Sequence, residues 1–318
     1  VKERLRLGTR GSHLALAQSG QVAEALKAAW PGLEVELVVI RTTGDRRAHE
    51  PLASLGGKGA FTREIEVALL EGQVDFAVHS LKDLPVELPA GLHLGAFPPR
   101  QDPRDCLIAA VPLGDLPPGA RVGTGSLRRR CQLQALRSDL GFADIRGNLP
   151  TRVARWRQGH YQALVLAQAG LNRLGLEAAG LGAGEVHPLP ALDCLPAPCQ
   201  GILGLECRAD DGDTNRLLAA LDEPATRAQA QAERAFLEEL QGGCQIPAAA
   251  YARAEEGGLV VDALLASLDG RTLLRCRVQG PADQAPELGR QAGRRLLEEG
   301  GRELLEAGGG QAPPVTPP

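Results

Sequence analysis

Up to about residue 208 the chain alternates between two hydrophobic rhythms. RLRLG (4–8) switches apolar and polar at every step and predicts a strand. TRGS (9–12) then turns into HLALAQSGQVAEALKAAW, whose spacing is helical, and LEVELVVIR (33–41) returns to a period of two. A glycine-rich stretch, SLGGKGAF, opens a second helix, FTREIEVALLEG, and VDFAVHS reads as a short buried strand. LKDLPVELPAGL, with two prolines, reads as a loop. After QDPRD the rhythm restarts: CLIAAV a strand, ARVGTGSLRRRCQLQAL strand, turn and helix, ADIRG a strand, LPTRVARWRQG a helix, YQALVLAQAG a strand. ILGLEC then supplies a strand able to return to the first lobe. Strands alternating with helices imply sheets wrapped by helices. The last third differs. A helix over 226–240 precedes three strand-like segments, AAAYARAE, LVVDALLASL and TLLRCRVQ, separated by EEGG and DGR, and a single final helix, PELGRQAGRRLLEEGGRELLEA.

The length, 318 residues, suits two or three domains, and 43% apolar residues are enough for real cores. A net charge of −4 argues against a generic nucleic-acid binder. Seven scattered cysteines without a CxxC pair or zinc spacing, no signal-peptide core and no long apolar span lead to the expectation of a reduced, cytoplasmic protein with free thiols, no metal and no membrane contact.

Against that acidic background, eight arginines lie between 128 and 157. GTGSLRRR (123–130) places Thr124 and Ser126 at a strand-to-helix turn, where unpaired N–H groups and the helix dipole favour an anion. Arg128, Arg129 and Arg130 then crowd the end of the helix where positive charge is unfavourable, unless an anion compensates; the bland alternative is a solvated basic face. Arg146 and Arg152 add to the cluster, while Arg137, Arg155 and Arg157 are candidates for solvent. In VHSLKDLP (78–85) a buried strand ends in His79, Ser80, Lys82 and Asp83, where open α/β sheets bind ligands. Asp83 is either a positioned carboxylate able to steady a developing cation or one half of a surface pair with Lys82. GGKGAF lacks the Walker spacing and fits a mobile lid. Cys244 stands in GGCQIP directly after a helix; its own chemistry leaves tether, nucleophile and inert thiol open.

In order along the chain, LGTRGSHLALAQ, LGGKGAFTREIE, AVHSLKDLPVELPAGL, VGTGSLRRRCQL, IRGNLPTR, LAQAGLNRLGL, PAPCQGILGLECR and LQGGCQIP resemble the porphobilinogen deaminase (hydroxymethylbilane synthase) family over about residues 4–250. The resemblance implies an α/β fold of two periplasmic-binding-protein-like lobes with mixed sheets, plus a C-terminal α+β domain with a three-stranded antiparallel sheet. The expected boundaries are 1–99 with 197–217, 100–196, 218–307, and a disordered tail at 308–318. It implies a monomeric transferase that joins four porphobilinogen molecules head to tail, releasing ammonia, to give linear hydroxymethylbilane. One covalent dipyrromethane would hang from Cys244 by a thioether and reach into a cleft between the lobes. Its carboxylates would meet Ser80, Lys82, Thr124, Ser126, Arg128, Arg129, Arg146 and Arg152. Arg10, Ser12, Gln18, Lys58, Phe61, Ala169, Gly170 and Gln200 would serve the substrate, with Lys58 and Phe61 on the lid and Phe61 stacking on a ring. Asp83 would be catalytic, stabilising the azafulvene-like cation left by ammonia. The chain departs from the family pattern at Gly125, where serine is frequent, and at Cys199, where glycine is usual. The competing reading is a two-lobed binding protein for a small anion, without catalysis.

Overall fold

The computed structural model describes residues 2–46, 59, 61–240, 247–267 and 269–308. Lys58, Cys244 and the tail beyond 308 therefore lie outside the described residues. The chain divides into two compact units, residues 1–101 with 172–174 and 201–227, and residues 102–171 with 175–200 and 228–318.

The first unit contains β1 (Arg4–Thr9), α1 (His13–Ala29), β2 (Glu34–Val39), α2 (Thr43–Arg46), α3 (Arg63–Leu70), β3 (Phe76–Ser80) and β4 (Leu92–Ala96). The second begins with β5 (Asp105–Ile108), β6 (Arg121–Gly123), α4 (Leu127–Leu136), β7 (Gly141–Ala143), α5 (Leu149–Arg157), β8 (Ala163–Ala167), α6 (Gln168–Leu174) and β9 (Val186–Pro188). The chain then returns through β10 (Leu203–Arg208) and α7 (Gly212–Ala219) to the first unit, and α8 (Pro224–Glu239) leaves it again. β11 (Ala248–Glu255), β12 (Gly258–Ala266), β13 (Leu273–Gly280), α9 (Ala285–Leu296) and α10 (Arg302–Gly308) complete the second unit.

The first sheet runs β2-β1-β3-β10-β4, with β1 parallel to β2 and β3, and β10 antiparallel to β3 and β4. The second runs β7-β6-β8-β5-β9 with the same pattern, β5 being the antiparallel strand. The two sheets share one plan, the pair of mixed sheets in two α/β lobes expected from the sequence. Alternation in β1 sends Leu5 and Leu7 to the face where α1 places Val22 and Leu26; α3 covers the other face with Ile65 and Leu69. Each of these six side chains is at most 3% exposed, so helices close both faces of the sheet around β1, while Leu37 and Val39 on the edge strand β2 stay exposed.

The third sheet is the antiparallel meander β11-β12-β13, with α8 and α9 on one face through Phe236, Leu288 and Leu296. The two helices cross closely enough that a Cβ on Gly289 would lie 1.9 Å from the Ala232 carbonyl oxygen.

Four differences from the sequence pattern have local causes. ADIRG is not the strand; β7 lies just upstream, so Ile145 is buried from a loop. YQALVLAQAG ends as a strand at Ala167, and the helical turns of α6 begin at Gln168. LHLGA and VHP form the unforeseen strands β4 and β9. The final helix breaks, because Gly300 takes φ 107° and Gly301 packs where a Cβ would meet the Leu296 carbonyl at 2.5 Å.

Candidate active site

In the first unit, parallel pairing of Leu7 with Phe76 and Gly8 with Ala77 brings the carboxyl ends of β1 and β3 to one sheet edge. β1 runs into Arg10 and Ser12, and Ser12 caps α1 by accepting from Ala15 N–H at 3.3 Å. β3 runs into Ser80. The buried Gln18 of α1 donates through Nε2 to Ser80 Oγ at 3.0 Å, and Ser80 Oγ lies 3.3 Å from Gln18 Oε1, which stitches the two chain ends together.

Leu81–Asp83 form a single 3₁₀ turn, which aligns positions three apart. Leu81 and Leu84 point inward, 1% and 6% exposed, and Leu81 N–H donates to Ile202 O at 3.0 Å. Lys82 and Asp83 are thereby turned outward, Lys82 half-buried and Asp83 exposed. The anchored leucines fix the backbone of this turn.

His79 takes a packing place. Its Nε2 lies 2.9 Å from Glu206 Oε2 without the alignment of a hydrogen bond, and both side chains are buried. Glu66 of α3 belongs to the same buried group. Desolvation pushes its carboxyl upward and Glu206 adds to this, against a Thr62 hydrogen bond and the His79 charge.

Phe61 is described, and its ring is already engaged. The Arg10 guanidinium sits 4.3 Å from the ring centroid, and Gly44 packs so closely that a Cβ there would lie 2.2 Å from the ring. The expected stacking partner of Phe61 is, in this structure, Arg10.

In the second unit β6 ends at Gly123 and α4 starts with Ser126 as its cap, accepting from Arg129 N–H at 3.4 Å, while Ser126 N–H donates to Thr124 Oγ1 at 3.2 Å. Thr124, Gly125, Ser126 and Arg130 line a shallow depression at this helix start, with Asp144 on its rim. Arg130 is exposed. Arg128 and Arg129 turn inward instead, 6% and 8% exposed, to the fully buried Asp105 at the start of β5. Arg128 Nη1 lies 2.8 Å from Asp105 Oδ2 and donates to Leu195 O at 2.6 Å. Arg129 donates to Asp105 Oδ1 from Nη2 at 2.7 Å and from Nε at 3.1 Å, and to Val165 O from Nη1 at 2.9 Å. Desolvation would raise the Asp105 carboxyl, but the Arg128 and Arg129 guanidiniums overcome it and hold the group far below the usual carboxylate range.

Arg152 is half-buried at the start of α5 and donates from Nε to Gly147 O at 2.8 Å; Arg146 is exposed on the preceding loop. Arg155 and Arg157 face solvent as expected, Arg157 paired with Glu185. Arg137 does not: its guanidinium holds Asp139 and the carbonyls of Leu113, Gly114 and Leu116. Ala169 and Gly170 are buried in the first turn of α6, where backbone N–H groups have no partner within the helix. Gln200, 1% exposed, spends its Nε2 on Pro103 O and Asp105 Oδ1, each at 2.8 Å. Asp105 is the residue that pattern reading missed. Only its place at the start of an apolar strand, after QDPRD, hinted that a charge is buried there.

Two guanidiniums share one carboxylate out of water, and a helix N-terminus adds positive potential beside them. A buried excess of positive charge is costly unless an anion completes it. Fold and site therefore define an α/β protein with a buried group of one net positive charge beside a helix N-terminus. The chain belongs to the porphobilinogen deaminase family. The family model for the porphobilinogen deaminase dipyrromethane cofactor binding domain matches residues 5–216, and that for the C-terminal domain matches residues 228–298. Similar curated proteins named porphobilinogen deaminase come from Syntrophobacter fumaroxidans (48% identical over 298 residues, 93% of this chain and 95% of the relative) and Moorella thermoacetica (47% over 298 residues, 93% and 94%). Among solved structures, the aliphatic sulphonate binding protein SsuA from Escherichia coli overlaps 94% of this chain and 88% of its own. Its TM-score is 0.41 at 15% identity, too low to carry an argument. The residues present fit the dipyrromethane: a carboxylate-bearing group suits the guanidinium excess at Arg128 and Arg129.

Proposed function

We propose that this chain is a hydroxymethylbilane synthase, condensing four porphobilinogen molecules head to tail with loss of ammonia to make a linear tetrapyrrole for porphyrin and haem biosynthesis. The observation that carries the reading is the buried pair Arg128 and Arg129 around a single carboxylate, Asp105. The dipyrromethane, tethered at Cys244, supplies when bound the pyrrole carbon that accepts the first substrate. Arg128, Arg129, Arg146 and Arg152, with Lys82, Ser80, Thr124 and Ser126, hold carboxylates by charge-assisted bonds of about 1.5–3 kcal/mol each where water is excluded. Arg10, Ser12, Gln18, Lys58, Phe61, Ala169, Gly170 and Gln200 belong to the substrate side of this reading.

Asp83 does the chemistry that needs a base and an anion. As ammonia leaves the aminomethyl carbon of porphobilinogen, positive charge develops on that carbon and on the ring nitrogen, and the Asp83 carboxylate stabilises it. The aminomethyl group leaves as ammonia from its ammonium form, and the carboxylate takes the one proton released from the ring carbon at which the new bond forms and passes it to water. It thus ends each addition as it began. The three-stranded sheet, with its own apolar cluster, supports a separate third domain over 218–307, after the lobes 1–99 with 197–217 and 100–196. The same reading makes the protein a cytoplasmic monomer; among the described residues no helix is long and apolar enough to cross a membrane.

Intact mass tests the reading directly. The purified protein should exceed its sequence mass by two porphobilinogens less two ammonias, and should colour with an aldehyde reagent for pyrroles. A bare sequence mass would favour the small-anion-binding alternative. Cys244→Ser should abolish the adduct. Asp83→Asn should keep it and lose about 10²–10⁴-fold in turnover; near-normal turnover would remove Asp83 from the chemistry.

A further inference from the structure

We propose that Asp105 is a positioning residue: it holds Arg128 and Arg129 in the orientation that receives ligand carboxylates, and acts through them without touching the ligand. The inference rests on the proposed function and names a residue outside its binding set.

The geometry leaves Asp105 no other task. It is fully buried, and both oxygens are occupied. Oδ1 accepts from Arg129 Nη2 and Nε and from Gln200 Nε2; Oδ2 meets Arg128 Nη1, with the Cys194 thiol 3.8 Å away. A carboxylate so enclosed cannot exchange protons with a substrate. The arginines, by contrast, need a brace. Arg128 and Arg129 are consecutive on the first turn of α4, so their side chains leave the helix about 100° apart and repel one another. Only an anion set between them can bring both guanidiniums to one side. Asp105 enters from β5, a separate strand, and carbonyl oxygens on two further segments, Leu195 and Val165, fix the remaining direction of each fork. Two positive groups and one negative group leave one positive charge, which is what a ligand carboxylate neutralises.

Charge and geometry make opposite predictions for Asp105→Asn. The substitution adds one positive charge to the site. If Asp105 merely reduced the local potential, the variant would hold polycarboxylates more tightly. As a brace, its loss lets the guanidiniums separate, and binding weakens despite the added charge.

The experiment uses the full chain as expressed and reads three quantities: the fraction carrying the covalent adduct by intact mass, KM and kcat for porphobilinogen, and folding by circular dichroism. Expected for folded Asp105→Asn is a loaded fraction, or a kcat/KM in what is loaded, lower by about ten- to a hundredfold. Loading and KM equal to or better than the parent would overturn the proposal. Should Asp105→Asn not fold, Asp105→Glu decides, since it keeps the charge and moves the carboxylate by one methylene. A brace predicts reduced loading; loading and KM equal to the parent would overturn it. Failure of the functional reading itself looks different, because the parent protein would then carry no adduct.

Discussion

Cys199 stands at φ 64°, the one non-glycine residue with positive φ among the described residues, 1% exposed, with its N–H held by the Glu233 carboxylate. A side chain in the left-handed region costs roughly 1–2 kcal/mol, so the usual glycine at this position has a steric reason, and this chain departs from it at a cost. Cys199→Gly should change unfolding free energy by less than about 1 kcal/mol, relief of strain offsetting the lost thiol, whereas the β-branched Cys199→Val should lose about 2 kcal/mol or more; urea melts of both would check this. The other thiols are equally informative. All six cysteines among the described residues are buried, and desolvation pushes Cys106, Cys194 and Cys207 up to about 12 and Cys131 and Cys276 up to about 11. Brief alkylation of unloaded protein at pH 7.5 should therefore mark Cys244 alone, and adduct-bearing protein should resist; peptide mapping reads the site. The motif residues were legible because their chemistry is exposed in sequence order. Asp105 and Glu206 were not, because burial beside a distant arginine or histidine leaves no local pattern.

At the level of elements, the strands with clean alternation or continuous apolar runs stood out from the pattern: β1, β3, β8 and β10 to β13. The short ones, β4, β7 and β9, are defined by their partners: among the described residues β4 pairs with β10 alone, and β9 with β5 alone. Tertiary pairing there overrides weak local preference. α4 shows how an element can be tied down from outside. Three arginines in its first turn oppose its dipole, yet Ser126 caps it and Asp105 offsets part of the charge from β5. Ser126→Ala should cost about 1 kcal/mol in a thermal or urea melt. The acid limb follows from Asp105. Its folded-state carboxyl lies below the unfolded value near about 3.9, so its contribution is fully present above that value and is lost as pH falls through the folded one. Stability should be flat in this contribution from pH 5 to 8 and fall below about pH 4, and Asp105→Asn should flatten that limb in acid titrations followed by circular dichroism.

Taken as a whole, the molecule repeats one sheet plan twice, but completes the copies in a different order. Every strand of the second sheet lies between Asp105 and Pro188, whereas the first sheet waits for β10, which begins at Leu203. β4 ends at Ala96 and has no other strand neighbour among the described residues. On a ribosome adding about 5–20 residues per second, that strand spends several seconds or more with its edge bare. The second sheet can meanwhile close upon itself. Chains truncated at residue 200 and released from the ribosome should thus protect the amides of 163–167 from exchange and leave those of 92–96 open, while released chains extended beyond 250 should protect both. A protein assembled in this order leaves one sheet edge open for one interval, set by where β10 falls in the message.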